Sequence, residues 1–339
     1  MTASPYSPEE ASGIWVYLEH GDGKLEGVSL ELLGRARELA QETGERLTGL
    51  LLGEGLEPLA EEAIAAGADH VLLAEHELLG LYTTEPFTKV VTGLIVEQHP
   101  DVLLLGATTN GRDLAGRLAV RLRTGLTADC TDLSIDRKSG LLLGEVTGFG
   151  HGILATIECP VHRPQMATVR PGVFPRPVAD PAHTGKIERV DVSLSESDRP
   201  VRVIKQTSRR AADVTQAERL VIGGRGMDGD FALLKRLAKA VRGEVGATRV
   251  AVDQGWVRED RMIGQTGSVT RPKLAIVCGA SGAMQFVVGI QDSEVIVAIN
   301  SDPEAPIFEM ADYCVAEDAF QVIPPLIEAL QGERVGGKS

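Results

Sequence analysis

Residues 262–286, MIGQTGSVTRPKLAIVCGASGAMQF, hold two clusters of glycine and hydroxyl residues on either side of one apolar run. The stretch has no histidine and no carboxylate, and Lys273 is its single lysine. Such residues can hold a ligand through backbone and hydroxyl hydrogen bonds, but they offer no proton acceptor tuned to neutral pH. Small or hydrogen-bonding residues recur downstream of residue 222, in GGRG (223–226), GATR (246–249), GQTG (264–267), GASGA (279–283), IN (299–300) and AED (316–318). Each alone reads as a capped turn. Together they suit a doubly wound sheet whose strand carboxyl ends converge on one crevice, and so point to a dinucleotide.

The roles divide by chemistry. Ser281 and Gly282 follow the apolar run KLAIVCG and precede a helix, so their backbone N–H groups suit a pyrophosphate. Asn300 and Asp318 can satisfy hydroxyls and an adenine edge. Thr266 and Arg249 remain for a redox-active head group. All seven histidines lie between His20 and His183, which leaves this half without the usual general base or zinc ligand.

A competing reading starts at LVIGGRGMDG, where Gly224, Gly226 and Gly229 have G-x-G-x-x-G spacing and Glu244 falls about 20 residues on. That is the dinucleotide fingerprint of an NAD-dependent oxidoreductase. The third glycine of that fingerprint must lie within the helix and let it pack on the strand. Here MDGDFALLKRLAKAV reads instead as a loop, with Asp228 or Asp230 capping a helix that starts after Gly229. Arg225 within the turn would set a cation beside a phosphate or a flavin edge.

The elements that must position these residues follow from periodicity. IWVYLEH (14–20), RLTGLLLG, HVLLAE and DVLLLGA read as buried strands. GVSLELLGRARELAQETG (27–44), PLAEEAIAAG, TTEPFTKVVTGLIVEQHP and NGRDLAGRLAVRLRTG read as helices between or after them, the last capped by Asn110 or Asp113. This predicts a three-layer α/β/α domain with a parallel sheet. After Asp129, TDLSIDRKSGLLLGEVTGFGHGILATIECP predicts hairpins turning at KSG and GFGHG, and ERVDVSLSESDRPVRVIKQT predicts a strand pair. Polar SRRAADVTQAE marks a linker. The expected organisation is residues 1–204 as an N-terminal α/β domain with added antiparallel strands, 205–218 as linker, 219–331 as a doubly wound ligand domain, and 332–339 as a disordered tail.

Composition narrows the class. A chain of 339 residues with 43% hydrophobic content and 38 glycines fits two α/β domains. A net charge of −14 argues against nucleic acid and anionic membranes, both of which need clustered cations. The N-terminus shows neither a basic nor an apolar signal region, and no apolar run approaches the ~18 residues of a membrane span. Cys130, Cys159, Cys278 and Cys314 form no C-x-x-C pair and read as reduced, mostly buried thiols, which predicts a cytoplasmic protein.

GQTGSV, SGAMQF, VAVDQGWV and the long VIVAINSDPEAPIFEMADY resemble the C-terminal domain of the electron-transfer flavoprotein alpha subunit. DVLLLGATTNGRDLAGRLAVRLRTGLTADCTDL and RPQMATVRPG resemble its N-terminal domain, so the likeness covers nearly the whole chain. It implies an electron carrier with no substrate chemistry of its own, bound to a beta subunit as a heterodimer. Its FAD would pass electrons between a flavin dehydrogenase, such as an acyl-CoA dehydrogenase, and an acceptor such as a quinone oxidoreductase or ferredoxin.

Carried over, the FAD contacts would be Arg225, Thr248, Arg249, Ile263, Gly264, Gln265, Thr266, Ser281, Gly282, Ala283, Met284, Gln285, Phe286, Asn300, Asp318 and Ala319. Residues 263–266 would run beside the isoalloxazine with Arg249 over the ring, its charge favouring the reduced flavin. SGAMQF would face the pyrophosphate and ribityl chain. Phe286 stands where the family pattern SGAIQH has histidine, which removes a hydrogen bond to the flavin's pyrimidine carbonyl. The RPQMATVRPG form resembles alpha subunits of electron-bifurcating complexes. GATTNGRD (106–113) is a further strand-end loop, read here as structural or interfacial, as is PQMATVRPG (164–172).

Overall fold

A strand that is apolar at every position needs cover on both faces, and that demand builds the first unit. A computed structural model describes residues 5–147, 154–205 and 214–336. The chain divides into two units, Met1–Gln206 and Thr207–Ser339.

The first unit contains β1 (Ile14–Tyr17), β2 (His20–Gly21), β3 (Lys24–Leu25), α1 (Gly27–Thr43), β4 (Leu47–Gly53), α2 (Glu57–Ala65), β5 (His70–Glu75), α3 (Thr84–Gln98), β6 (Val102–Gly106) and α4 (Thr109–Leu122). Then follow β7 (Leu126–Cys130), β8 (Asp132–Ile135), β9 (Leu142–Thr147), β10 (Leu154–Ile157), β11 (Gln165–Val169) and β12 (Lys186–Val190). Seven of these strands form one sheet in the order β12-β5-β4-β1-β6-β11-β7, parallel throughout. Leu32, Leu33 and Leu39 of α1 pack with Ala60 and Ala63 of α2 over one face. Phe87 and Val91 of α3 pack with Leu114 and Leu118 of α4 over the other. This is the expected three-layer arrangement, with β8, β9 and β10 as an added antiparallel sheet.

The second unit contains β13 (Arg219–Gly223), α5 (Phe231–Val241), β14 (Glu244–Ala247), α6 (Arg249–Asp253), β15 (Leu274–Cys278), α7 (Met284–Val287), β16 (Ile296–Ile299), β17 (Tyr313–Val315) and α8 (Ala319–Gly336). Its five strands are parallel in the order β14-β13-β15-β16-β17. This is a doubly wound order, 2-1-3-4-5, with its switch point between β13 and β15. Leu234 and Leu237 of α5 and Ile323 and Ile327 of α8 cover one face. Irregular chain and the short α7 cover much of the other, through Ile263, Phe286, Ile290 and Ile307.

Several expectations need correction. RPQMATVRPG contributes β11, a wholly buried strand between β6 and β7, so of its two expected roles the structural one fits and the interfacial one does not. Lys186–Val190 forms a single strand, and it joins the sheet edge in parallel to β5 instead of pairing with residues 191–205. The cap of α4 is Thr108, whose hydroxyl accepts from the Gly111 N–H at 2.9 Å; Asn110 and Asp113 lie inside the helix. Val214 is buried in the second unit's core, so packing begins before residue 219. The last helix continues to Gly336 where a tail was expected. The turn expected at GFGHG falls outside the described residues. Of the cysteines, Cys130 and Cys278 are buried, Cys159 is intermediate and Cys314 is exposed; all four are free thiols. Among the described residues no helix is long and apolar enough to cross a membrane, and no cluster of three His, Cys, Asp or Glu could hold a metal.

Candidate functional site

The strands of the second unit end together because they are parallel and nearly in step, and the loops leaving β13 and β15 diverge at the switch point. There a crevice of about 590 Å³ opens. This lies within the ~300–1,000 Å³ of small-molecule and cofactor sites. Arg225 and Gly226 line it after β13, Thr248 and Arg249 after β14, Ser281 to Ala283 after β15, Asn300 to Asp302 after β16, and Asp318 and Ala319 after β17. Ile263, Gly264, Thr266, Gln285 and Phe286 complete the wall. Fourteen of the sixteen residues singled out from the sequence thus meet in one cavity. Gln265 and Met284 do not line it: the Gln265 backbone N–H is tied to the Gln285 carbonyl at 2.7 Å, and the Met284 side chain is 56% exposed.

Close backbone packing shapes the floor. Gly282 has φ of +87°, and a Cβ there would lie 2.3 Å from the Ile307 nitrogen, so only glycine fits this turn. The Ile307 N–H in turn donates to the Ser281 carbonyl at 3.0 Å. Asn300 is already engaged at both ends of its amide. It donates to the Ala280 carbonyl at 2.9 Å and accepts from the Asp302 N–H at 3.0 Å, which holds the ends of β15 and β16 together. Asp318 accepts from the Phe320 N–H at 2.9 Å at the start of α8. Both side chains keep unused hydrogen-bonding capacity toward the crevice.

The charges are placed asymmetrically. Arg249 opens α6 and its side chain is 67% exposed, with Nε 3.4 Å from Asp253. An exposed pair at that range holds its members weakly, so the guanidinium can turn toward a ligand. Arg225 is exposed in the turn after β13. Phe286 is 7% exposed and packs with Ile263 and Ile290, so one part of its ring serves the core while another lines the crevice. The sequence reading missed Val250, Ser301, Asp302 and Ala305; Gly226, Gly279, Ala280 and Ile299 lie within strand-end strings that it quoted but were not named as contacts. Most of these lie beside residues that it named, in turns whose paths local pattern does not specify.

The glycine fingerprint fails on geometry. Gly229 has φ of +84° and lies outside α5, whose cap is Asp230, accepting from the Leu233 N–H at 3.1 Å. Gly224 and Gly226 lie against Gly279 and Ala280. The Glu244 carboxylate accepts from Arg261 at 2.9 Å in place of a ribose.

Fold and site define a two-domain α/β protein whose second domain opens a cofactor-sized crevice at the switch point of a parallel sheet. The sequence model for the electron transfer flavoprotein domain matches residues 14–195, and that for the electron transfer flavoprotein FAD-binding domain matches residues 213–291. The electron transfer flavoprotein subunit alpha of Thermoanaerobacterium thermosaccharolyticum is 46% identical over 322 residues, 94% of this chain and 97% of the relative. Protein FixB of Rhizobium meliloti is 43% identical over 333 residues, 96% and 94% of the two chains. The acryloyl-CoA reductase electron transfer subunit beta of Anaerotignum propionicum is 39% identical over 350 residues, 94% and 95%. The chain belongs to the electron transfer flavoprotein alpha-subunit family.

Proposed function

We propose that the crevice of the second domain binds FAD and that the chain works as an electron carrier in a heterodimer with a beta subunit. The observation that carries this reading is the convergence of all five strand ends on one cavity lined by two arginines, in a domain without histidine. The bound flavin would supply one- and two-electron redox chemistry that no side chain here can supply.

The residues fit such a group in parts. The Ser281–Ala283 backbone and Arg225 suit the pyrophosphate: the chain turns there at the end of β15 along the crevice wall, and a guanidinium matches phosphate geometry. Asn300, Asp318 and Ala319 hold the adenosine end. Ile263, Gly264 and Thr266 run beside the isoalloxazine, and Arg249 places a positive charge where negative charge gathers on reduction. Phe286 excludes water from one edge. Gln265 and Met284 act by holding the loop at 263–268 and α7, without facing the ligand.

The partners follow from the family and stay within this reading: a flavin dehydrogenase such as an acyl-CoA dehydrogenase on one side, and a quinone oxidoreductase or ferredoxin on the other. The relative from Anaerotignum propionicum, named for acryloyl-CoA reductase, supports an acyl-CoA dehydrogenase-type partner. The RPQMATVRPG segment supports membership of an electron-bifurcating complex, and the chain is expected to work in the cytoplasm.

The test is the visible spectrum of the heterodimer and chromatography of its extracted cofactor. A yellow protein releasing FAD from a site sensitive to Asp318→Ala supports the reading. A colourless protein, or one that retains NAD, overturns it.

A further inference from the structure

The first domain holds a second cavity that the flavin crevice does not account for. It measures about 800 Å³ and lies at the carboxyl ends of β1 and β4, next to the point where β4 flanks β1 on one side and β6 on the other. Loops diverge at such a reversal, which makes it a favoured ligand position in open parallel sheets.

Leu56, Leu59, Leu79 and Tyr82 line the cavity, and the Tyr82 ring is backed by Phe87, 4.9 Å away and 3% exposed. The lining also carries polar groups. Glu19 and His20 leave β1 there, and Asn110 enters from α4. The His20 Nε2–H donates to the Leu52 carbonyl at 2.9 Å, which fixes the ring. The Thr108 hydroxyl donates to the Glu19 carboxylate at 2.5 Å while capping α4. The Glu19 backbone carbonyl accepts from the Glu26 N–H and from the Ser29 hydroxyl, so the whole residue is held. Burial raises the Glu19 carboxyl above its usual range, against the lowering effect of the Thr108 hydrogen bond.

This arrangement decides the ligand's charge. The strand-end loop at residues 106–113 is where an anion would be expected, at the start of α4. A carboxylate already occupies that position. Asp22 and Glu54 also line the cavity, against one lysine, Lys205. A phosphate brings only acceptors and negative charge, so it would face acceptors and repulsion. A molecule with hydroxyl or amino donors and a flat ring would satisfy the carboxylates and use the Tyr82 ring.

We propose that this cavity is a second ligand site, for an uncharged nucleoside-class molecule whose ring packs on Tyr82 and whose hydroxyls donate to Glu19, and that it selects against the phosphorylated form.

The test is equilibrium dialysis of the full-length, FAD-saturated protein against a mixture of the four ribonucleosides, and separately against their 5′-monophosphates. FAD saturation keeps the mixture out of the other crevice. The expected result is one nucleoside retained at one per chain, at least tenfold more tightly than its monophosphate. Leu81→Trp narrows the mouth at a residue that is 42% exposed and therefore tolerant of size, and it should weaken retention at least tenfold. Glu19→Gln should reduce the preference over the monophosphate. No saturable retention of any nucleoside, a monophosphate held as tightly, or retention unchanged in Leu81→Trp would each overturn the proposal.

Discussion

The backbone N–H of Gly226 donates to the carbonyl of Gly279 at 2.8 Å, so the turn after β13 rests directly on the turn after β15. A Cβ at Gly226 would lie 2.9 Å from the Gly279 Cα and 3.0 Å from its oxygen. The glycine spacing that imitates a nucleotide fingerprint therefore serves contact between two backbones.

Gly226→Ala should separate these turns. The expected cost is ~1–3 kcal/mol of stability from overpacking. Because both turns line the crevice, the FAD dissociation constant should also rise. Thermal unfolding with and without FAD, together with a cofactor titration, checks this; unchanged stability and affinity would show that the turns can part freely.

Asn300→Asp keeps the acceptor toward the Asp302 N–H and loses the donor toward Ala280, setting an anion against a carbonyl. At this half-buried site the mismatch should cost ~1–3 kcal/mol. FAD affinity should fall by about tenfold, since ~1.4 kcal/mol corresponds to one decade. Fluorescence titration of the apoprotein measures it, and wild-type affinity in the variant would remove Asn300 from the set of positioning residues.

Arg249→Ala removes a cation from the crevice wall. The first reduction potential should drop by up to ~60 mV, the one-electron equivalent of ~1.4 kcal/mol. Raising the ionic strength should shrink the difference, because the side chain is exposed. Spectroelectrochemical titration at two salt concentrations decides it, and equal potentials would rule out this role.

Phe286→His is expected to raise the first reduction potential through a hydrogen bond on the ~1.5–3 kcal/mol scale of a charged acceptor. Because the ring is 7% exposed and packed with Ile263 and Ile290, the same change should lower the melting temperature. A stability loss with equal potentials at every pH would assign Phe286 to the core alone.

His70 gives the first domain a pH dependence. It is 5% exposed on β5, and its Nε2 lies 3.3 Å from the Glu188 carboxylate. Burial lowers its proton affinity below the usual 6.5, reinforced by Arg46 and partly opposed by Glu188. A depressed imidazole adds full stability above the unfolded value, and that contribution is lost as pH falls below it. Melting temperatures should therefore decline from about pH 7 to about pH 5, and His70→Gln should flatten the decline. An equally steep decline in the variant would place the titration elsewhere.

Much of the fold was legible in local pattern. Helices such as Gly27–Thr43, stopped by Gly44 in the left-handed conformation, follow from period and caps, which act within a few residues. Asp230 was correctly named as one of two candidate caps for the same reason. Long family-specific strings around residues 263–318 mark the ligand domain in the sequence itself. Tertiary structure decided the rest. Whether Gln165–Val169 is interface or core depends on which strands flank it, and β6 and β7 do so from elsewhere in the chain. The path of the loop that carries Gln265 depends on its backbone hydrogen bond to Gln285, and whether Gly224 and Gly226 cradle phosphate depends on Gly279 pressing against them. Side-chain type and spacing encode what a residue can do, whereas which groups it meets is set by packing between segments far apart in sequence.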